Sequence, residues 1–457
     1  MGTPRLLAAI TTSVALLLSS VACSSSSDGP TGSGATLEMW TFKQTHVKPL
    51  QAAAASFKEK TGITVNITAY TPDDAFKSKV MSAAATKNVA DVLEVHAAGE
   101  DFVLGGAGIL ADITSNVDSA WQARFLKGTA DAGRVSPERY QRSLAPKAAD
   151  VGIKTGQLFS IPFTSGTFGI VYASKAKLTA AGLNPAAPPK TWAELISWLR
   201  ATTAKDPQNG GITIGLKASS TGFNWILQPL AYAYLGKDRY EALFGKDSGK
   251  IWGNADGEQV LALYDKLTPY WTPGSQTLGI DDADRAFAQG KSAFDVGGTF
   301  TLAAIQQNGM NPSDLIAFGL PPAEGGQVTD LKLAPLALTG LSVSATSKQP
   351  EAAIKWLDYL TSVDQAGAFA KASLDLPGVD LGAKAASLLG PDLAALQKVF
   401  DAPGPNTYNP DDMSKYQSPV YDQAIAGDAL VKMSPLKQVS VADTNKQLGQ
   451  IISDSWK

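Results

Sequence analysis

Apolar and polar residues alternate along Thr36-Leu37-Glu38-Met39-Trp40 and again along Ile63, Val65 and Ile67. Between these two runs, Leu50, Ala53, Ala54 and Phe57 recur at helical spacing. A period of two, then 3.6, then two again reads as strand, helix, strand. Pro49 suits the opening of that helix and Gly62 suits its end. Ala90–Val95 supplies a third strand pattern, so the start of the ordered chain predicts a mostly parallel sheet covered by helices. The style recurs further on. Phe168–Tyr172 reads as a buried strand. Thr191-Trp192-Ala193-Glu194 fits a capping box ahead of a face made by Trp192, Leu195, Ile196 and Leu199. Pro350 opens a later helix with Ala353, Trp356 and Leu360 on one side. Alternation over so long a chain, with no repeat of fixed period and no long internal linker, predicts two α/β lobes side by side.

The first residues follow different rules. Arg5 is the only charge before Asp28, Leu6–Leu18 is largely apolar, and small residues lead to Cys23. This pattern reads as a secretory signal peptide over residues 1–22, too short in its apolar run for a membrane span. Cys23 is the only cysteine, so an internal disulfide is excluded. Ser20-Val21-Ala22-Cys23 resembles a bacterial lipobox, with Ser20 departing from the usual Leu, and implies lipidation of Cys23. Residues 23–35, rich in Ser and Gly, read as a flexible tether. A net charge of −3 with no basic block excludes a nucleic-acid binder.

Several longer segments, in this order, resemble the family 1 extracellular solute-binding proteins, the group that includes maltose-binding protein. They are TLEMW with the helix ending FKEKTGITV, then ADVLEVHAAGEDF, GAGILADIT and GQLFSIPFTSGTFGIVYASKAKLTAAGLNPAAPPKTWAEL. Further on come AFAQGKSAFDVGGTF, IAFGLPPAEGG and EAAIKWLDYLTS. The resemblance implies a class II periplasmic binding protein-like fold, two α/β lobes joined by a hinge that the chain crosses several times. Residues 36–162 with 316–361 would form one lobe, and 163–315 with 362–457 the other. It also implies capture of a sugar or oligosaccharide in the cleft between the lobes, hinge closure on it, and delivery to a membrane permease powered by an ATPase. The protein would be a monomer anchored outside the cytoplasm, with no cofactor. A polyol or a glycerophosphodiester remains an alternative solute.

A sugar cleft needs flat aromatic faces and polar groups for hydroxyls, at strand ends. Trp40 ends the first strand, with Lys43 and Gln44 in the loop behind it. His96, Glu100 and Asp101 follow the third strand, where the relatives place polar sugar ligands. Asn224 and Trp225 lie where maltose-binding relatives carry a stacking aromatic. Gly298, Thr299 and Phe300 follow the strand pattern Ala293–Val296, with Phe300 where relatives often have Trp. Phe163, Thr164 and Gly340 lie near the expected hinge crossings, and Asp375 and Tyr408 in C-terminal loops. His46 and His96, the only histidines, make no metal motif. Gln289-Gly290-Lys291-Ser292 ends like a P-loop, but Arg285 stands where the first glycine is needed. No G-x-S-x-G, H-E-x-x-H or C-x-x-C occurs. A glycoside hydrolase, which needs two carboxylates flanking a cleft, is the rival class.

Overall fold

The computed structural model describes residues 34–400, 406–410 and 413–457. The expected signal peptide, Cys23 and most of the tether lie outside the described residues. Eleven strands, numbered in chain order, are β1 (Thr36–Thr41), β2 (Thr64–Ala69), β3 (Val92–His96), β4 (Ile161–Gly166), β5 (Phe168–Ser174), β6 (Ile212–Thr213), β7 (Phe294–Gly298), β8 (Leu315–Gly319), β9 (Lys332–Leu333), β10 (Leu336–Val343) and β11 (Thr407–Tyr408).

The first sheet runs β2-β1-β3-β10-β4. Helix α1 (Val47–Thr61) joins β1 to β2 and buries Leu50, Ala53, Ala54 and Phe57, the predicted face. It starts two residues before Pro49, which sits in the first turn where no amide partner is lost. Gly62 closes it at φ 76°, a left-handed position that glycine takes without strain, and donates to the Lys58 carbonyl. Leu37 and Met39 face this helix layer. The Trp356 indole, from helix Pro350–Leu360, donates to Met39 Sδ at 3.3 Å and packs on Phe57.

The second sheet runs β6-β7-β5-β8, and β9 pairs with β11 in a small third sheet. β1, β2 and β3 run parallel, as the start of the chain predicts, and each large sheet holds one reversed strand. β10 runs antiparallel to β3 and β4, and β5 antiparallel to β7 and β8. For β10 the physical reason is connectivity: it re-enters its sheet after the chain has visited the other lobe, so it is not bound to the crossover geometry that makes successive βαβ strands parallel, whereas β5 reverses within the second lobe. The expected capping box also differs in detail. The Thr191 hydroxyl accepts from Glu194 N at 3.2 Å, but the Glu194 carboxylate reaches back to Lys190 N, at 2.7 Å, rather than to Thr191.

The lobe crossings correct the boundaries read from sequence. β4 stays in the first sheet to Gly166, not 162, and Thr167 alone separates it from β5. β8 remains in the second sheet to Gly319, so residues 316–319 do not join the first lobe. Helix Val363–Ser373 packs on α1, and Phe369 touches His46 and Phe163. Val379 bridges Phe125, and Leu126 N donates to the Gly378 carbonyl. Helix Val363–Ser373 and the stretch to Asp380 therefore lie against the first lobe, helix Ala385–Gln397 packs on Val363–Ser373, and by Val399 the chain is beside Gly319 of the second sheet. The C-terminal helices Gln423–Met433 and Val441–Ser455 pack on the second lobe.

The crossing at Gly166 is crowded. A Cβ there would meet Thr299 Oγ1 and, at 2.8 Å, Leu338 Cδ1. Gly166→Ala should lower stability by about 1–3 kcal/mol through overpacking, read as a lower urea midpoint. An unchanged midpoint would mean that the strand and Thr299 do not pack as described.

Candidate functional site

The turn after β1 carries Lys43 and opens onto a buried charge cluster. The His46 ring is wholly buried, with Nε2 3.1 Å from Asp375 Oδ2 and Nδ1 2.9 Å from Glu94 Oε1. Thr41 donates to Glu94 at 2.6 Å, and the Lys43 ammonium donates to Asp375 at 2.6 Å. A ring with a carboxylate at each nitrogen must donate from both, which only the imidazolium does. Burial works against that charge, but Glu94 and Asp375 outweigh it and the His46 pKa is raised. Burial pushes Asp375 up, yet Lys43 and His46 bring it down to about 2. Burial likewise opposes ionisation of Glu94, and His46 overrides it, so that pKa is lowered. Two positive and two negative groups thus neutralise one another out of water.

Across the lobe boundary, three aromatic rings converge. Trp225 and Phe168 stack at 5.4 Å with planes 6° apart, and Phe300 meets Trp225 edge-on at 6.0 Å and Phe168 at 6.3 Å. Trp225 projects from a π-helical turn, Phe223–Leu227, that a regular helix continues. Phe168 begins β5 and Phe300 follows β7, whose register sets Phe168 opposite Gly298. The Gly298 carbonyl accepts from the Tyr172 hydroxyl at 2.7 Å. The Lys43 ammonium of the first lobe stands 5.3 Å from the Phe300 ring centre, a cation–π contact between the lobes. Gln44, beside it, is exposed.

Asn224 lies next to the platform, donating to Gln423 at 2.7 Å and accepting from Gln228 at 2.8 Å. The other candidates lie elsewhere. His96 stacks on Phe42 at 4.2 Å and contacts Glu100 through Nδ1 at 3.0 Å, while its backbone amide donates to Glu100 at the same distance. Burial opposes ionisation of Glu100, but the His96 contacts prevail and its pKa is lowered. Asp101 is fully buried and accepts from the Ala98, Gly99 and Phe102 amides and from Ser160, so it holds its own turn. Trp40 is a core residue packed edge-on to Tyr70, with Lys79 over its ring. Phe163 packs on Phe369. Thr164 bonds Thr339 at 2.9 Å, and Gly340 is enclosed by Ser160 between β3 and β4. Thr299 is buried against Gly166. Tyr408 sits in the second lobe's core, its hydroxyl 2.8 Å from Gln228.

Sequence reading missed Phe168, Phe42, His46 and Glu94 as parts of this neighbourhood. For Phe168 a signal existed. Gly166-Thr167-Phe168 and Gly298-Thr299-Phe300 are the same tripeptide, and both open on the platform.

A family description, bacterial extracellular solute-binding protein, matches residues 43–367. That match spans most of the chain, and the chain belongs to the bacterial extracellular solute-binding proteins. It is 26% identical over 376 residues to the maltodextrin-binding protein MdxE of Bacillus subtilis (strain 168), covering 79% of this chain and 78% of that protein. Maltose-bound MalE3 of T. maritima shares its fold at TM-score 0.69 and 18% identity, over 92% of this chain and 99% of that one. So does a structure concerned with xylan utilisation by the thermophilic bacterium Caldanaerobius polysaccharolyticus, at TM-score 0.71 and 20% identity, over 91% and 99%. Among the described residues no helix is long and apolar enough to cross a membrane.

Asp375→Asn should cost about 3 kcal/mol at neutral pH, since it strands His46 and Lys43 without their shared counter-ion. Because the Asp375 pKa is depressed in the folded state, its contribution is complete above the ordinary value of 3.8 and is lost as pH falls through about 2. The difference in urea stability between wild type and variant should therefore shrink as pH is lowered below 4. A difference that stays constant there would contradict the ion pairing.

Proposed function

We propose that this chain is the lipid-anchored solute-binding component of an ABC importer, and that it captures a sugar or oligosaccharide between its lobes for delivery to a membrane permease. The observation that carries this reading is the platform of Phe168, Trp225 and Phe300 with Lys43 opposite. Aromatic faces cover the apolar C–H patches of a pyranose, and Lys43, Gln44, Asn224 and the backbone around Gly298 supply partners for its hydroxyls. Family membership and the similarity to maltodextrin- and maltose-binding proteins support it. His96 and Glu100 belong to the first lobe's rim in this reading.

Residues 36–166 with 336–397 form one lobe and 168–335 with 406–457 the other, so that solute bound at the boundary touches both and favours closure by its extra contacts in the closed state. Cys23 carries the anchor, and residues 24–35 act as the tether that keeps the protein near its permease. The chain works as a monomeric binder rather than a glycosidase. The carboxylate that faces the platform through Lys43, Asp375, is already engaged by Lys43 and His46. The same pairing argues against a phosphodiester, which would need a cation not neutralised by the protein.

A thermal-shift panel of malto-, xylo- and chito-oligosaccharides, raffinose and glycerophosphodiesters tests the reading. A bound sugar at a hundredfold excess over Kd should add about 2.7 kcal/mol of stability and be recovered unchanged. Trp225→Ala or Phe300→Ala should weaken that sugar at least tenfold, about 1.4 kcal/mol, without unfolding the protein. A shift confined to phosphodiesters, or turnover of the sugar, would overturn the assignment.

A further inference from the structure

Under the turn that carries Phe300, helix Ile280–Ala288 packs on β7 and brings the Asp284 and Asp295 carboxyl groups within hydrogen-bond reach of each other. Asp284 is 2% exposed and Asp295 fully buried. Apart from each other and the nearby Val296 amide, Asp284 Oδ2 and both Asp295 oxygens have no hydrogen-bond partner. The groups around them offer no charge of opposite sign. Thr213, on β6, stands beside Asp295 in the parallel register, its hydroxyl likewise without a partner. Tyr172, opposite on β5, gives its hydroxyl to the Gly298 carbonyl. On the helix itself, Asp281 adds a further negative charge near Asp284, while Arg285 is paired with Asp282. Asp375 also reaches Tyr172 through its field. Among the described residues no lysine, arginine or histidine is paired with either carboxyl.

Two carboxylates in contact away from water cannot both stay ionised. Burial penalises each charge, and the second adds repulsion in a medium that screens it poorly. One proton held between them removes a charge and supplies a donor to oxygens that lack one. We propose that Asp284 and Asp295 form a proton-binding dyad that holds at least one proton at neutral pH, clamping helix Ile280–Ala288 to β7 and making the seat of Phe300 sensitive to pH. Asp295 lies three residues before Gly298, the last residue of β7, after which the chain turns to Phe300, and Thr301 packs back against Gly297. Loss of the proton leaves two buried negative charges pushing this helix and strand apart.

Burial pushes both groups up, Asp295 to about 7, and the Asp295 charge raises Asp284 further. A raised carboxyl pKa stabilises the fold when protonated, and that contribution is lost as pH rises through the folded value. The effect on solute capture rests on the platform reading, but the dyad is tested without solute. Urea unfolding of the full chain is followed from pH 5 to 9 for wild type, D284N, D295N and D284N/D295N. The wild-type unfolding constant, taken relative to the double variant, should rise about tenfold per pH unit for each proton that the dyad alone retains. This rise should hold up to about pH 7, and each single variant should flatten it. Carbon-13 carboxyl spectra of the wild type give a second readout, independent of whether the variants fold, in which at least one aspartate should titrate near neutrality. A ratio that does not change with pH, every aspartate titrating in the ordinary acidic range, or stability at pH 8 restored by sodium or calcium would each overturn the dyad, the last by making it a metal-ion site.

Discussion

His46 is wedged between Glu94 and Asp375, and through it three segments far apart in sequence meet. The turn after β1 supplies His46 and Lys43, β3 supplies Glu94, and the stretch beyond helix Val363–Ser373 supplies Asp375. A lone buried charge would carry a large desolvation cost, whereas this set is neutral and hydrogen-bonded in short steps. Its geometry does more than join segments. Asp375 holds the Lys43 ammonium at the lobe boundary, where the face of Phe300 lies opposite. The cluster thus places a first-lobe cation, Lys43, against the second lobe's platform.

The second lobe prepares its side differently. Phe168 and Phe300 come from neighbouring strands in register, and Trp225 from a π-helical turn that seats its ring parallel to Phe168. Only Thr167 separates β4 in one sheet from β5 in the other, so the platform begins where the chain crosses. The proposed closure would rotate the lobes about that crossing, moving the platform relative to Lys43 while leaving each sheet intact.

Much of the fold was legible because it rests on local periodicity. The α1 face, the Gly62 stop and the strands β1, β3 and β5 follow from spacing alone. The parallel run of β1, β2 and β3 was legible, but the reversed strands were not, since β10 is laid down when the chain returns from the other lobe and β5 reverses within the second. The third boundary was misplaced for a similar reason. Helix Val363–Ser373 carries an apolar face that could cover either lobe, and only the contact of Phe369 with His46 and Phe163 decides it. At the site, Lys43, Trp225 and Phe300 could be picked by residue type and by resemblance. Trp40 is as buried as Trp225, but its ring packs on Tyr70 and Lys79 inside the first lobe instead of beside Phe300, and Tyr408 lies in the second lobe's core, because where a side chain falls at a strand end depends on tertiary packing. Asp101 shows the limit for polar residues, as an acidic side chain after a strand serves equally well to hold its own turn.

The most direct test of capture by closure is small-angle X-ray scattering of the full chain, titrated with the oligosaccharide that the protein binds. The account predicts that the radius of gyration falls as the sugar saturates, and that Trp225→Ala shifts this fall to higher sugar concentration. A radius that stays constant while the sugar is demonstrably bound would contradict closure of the two lobes around it.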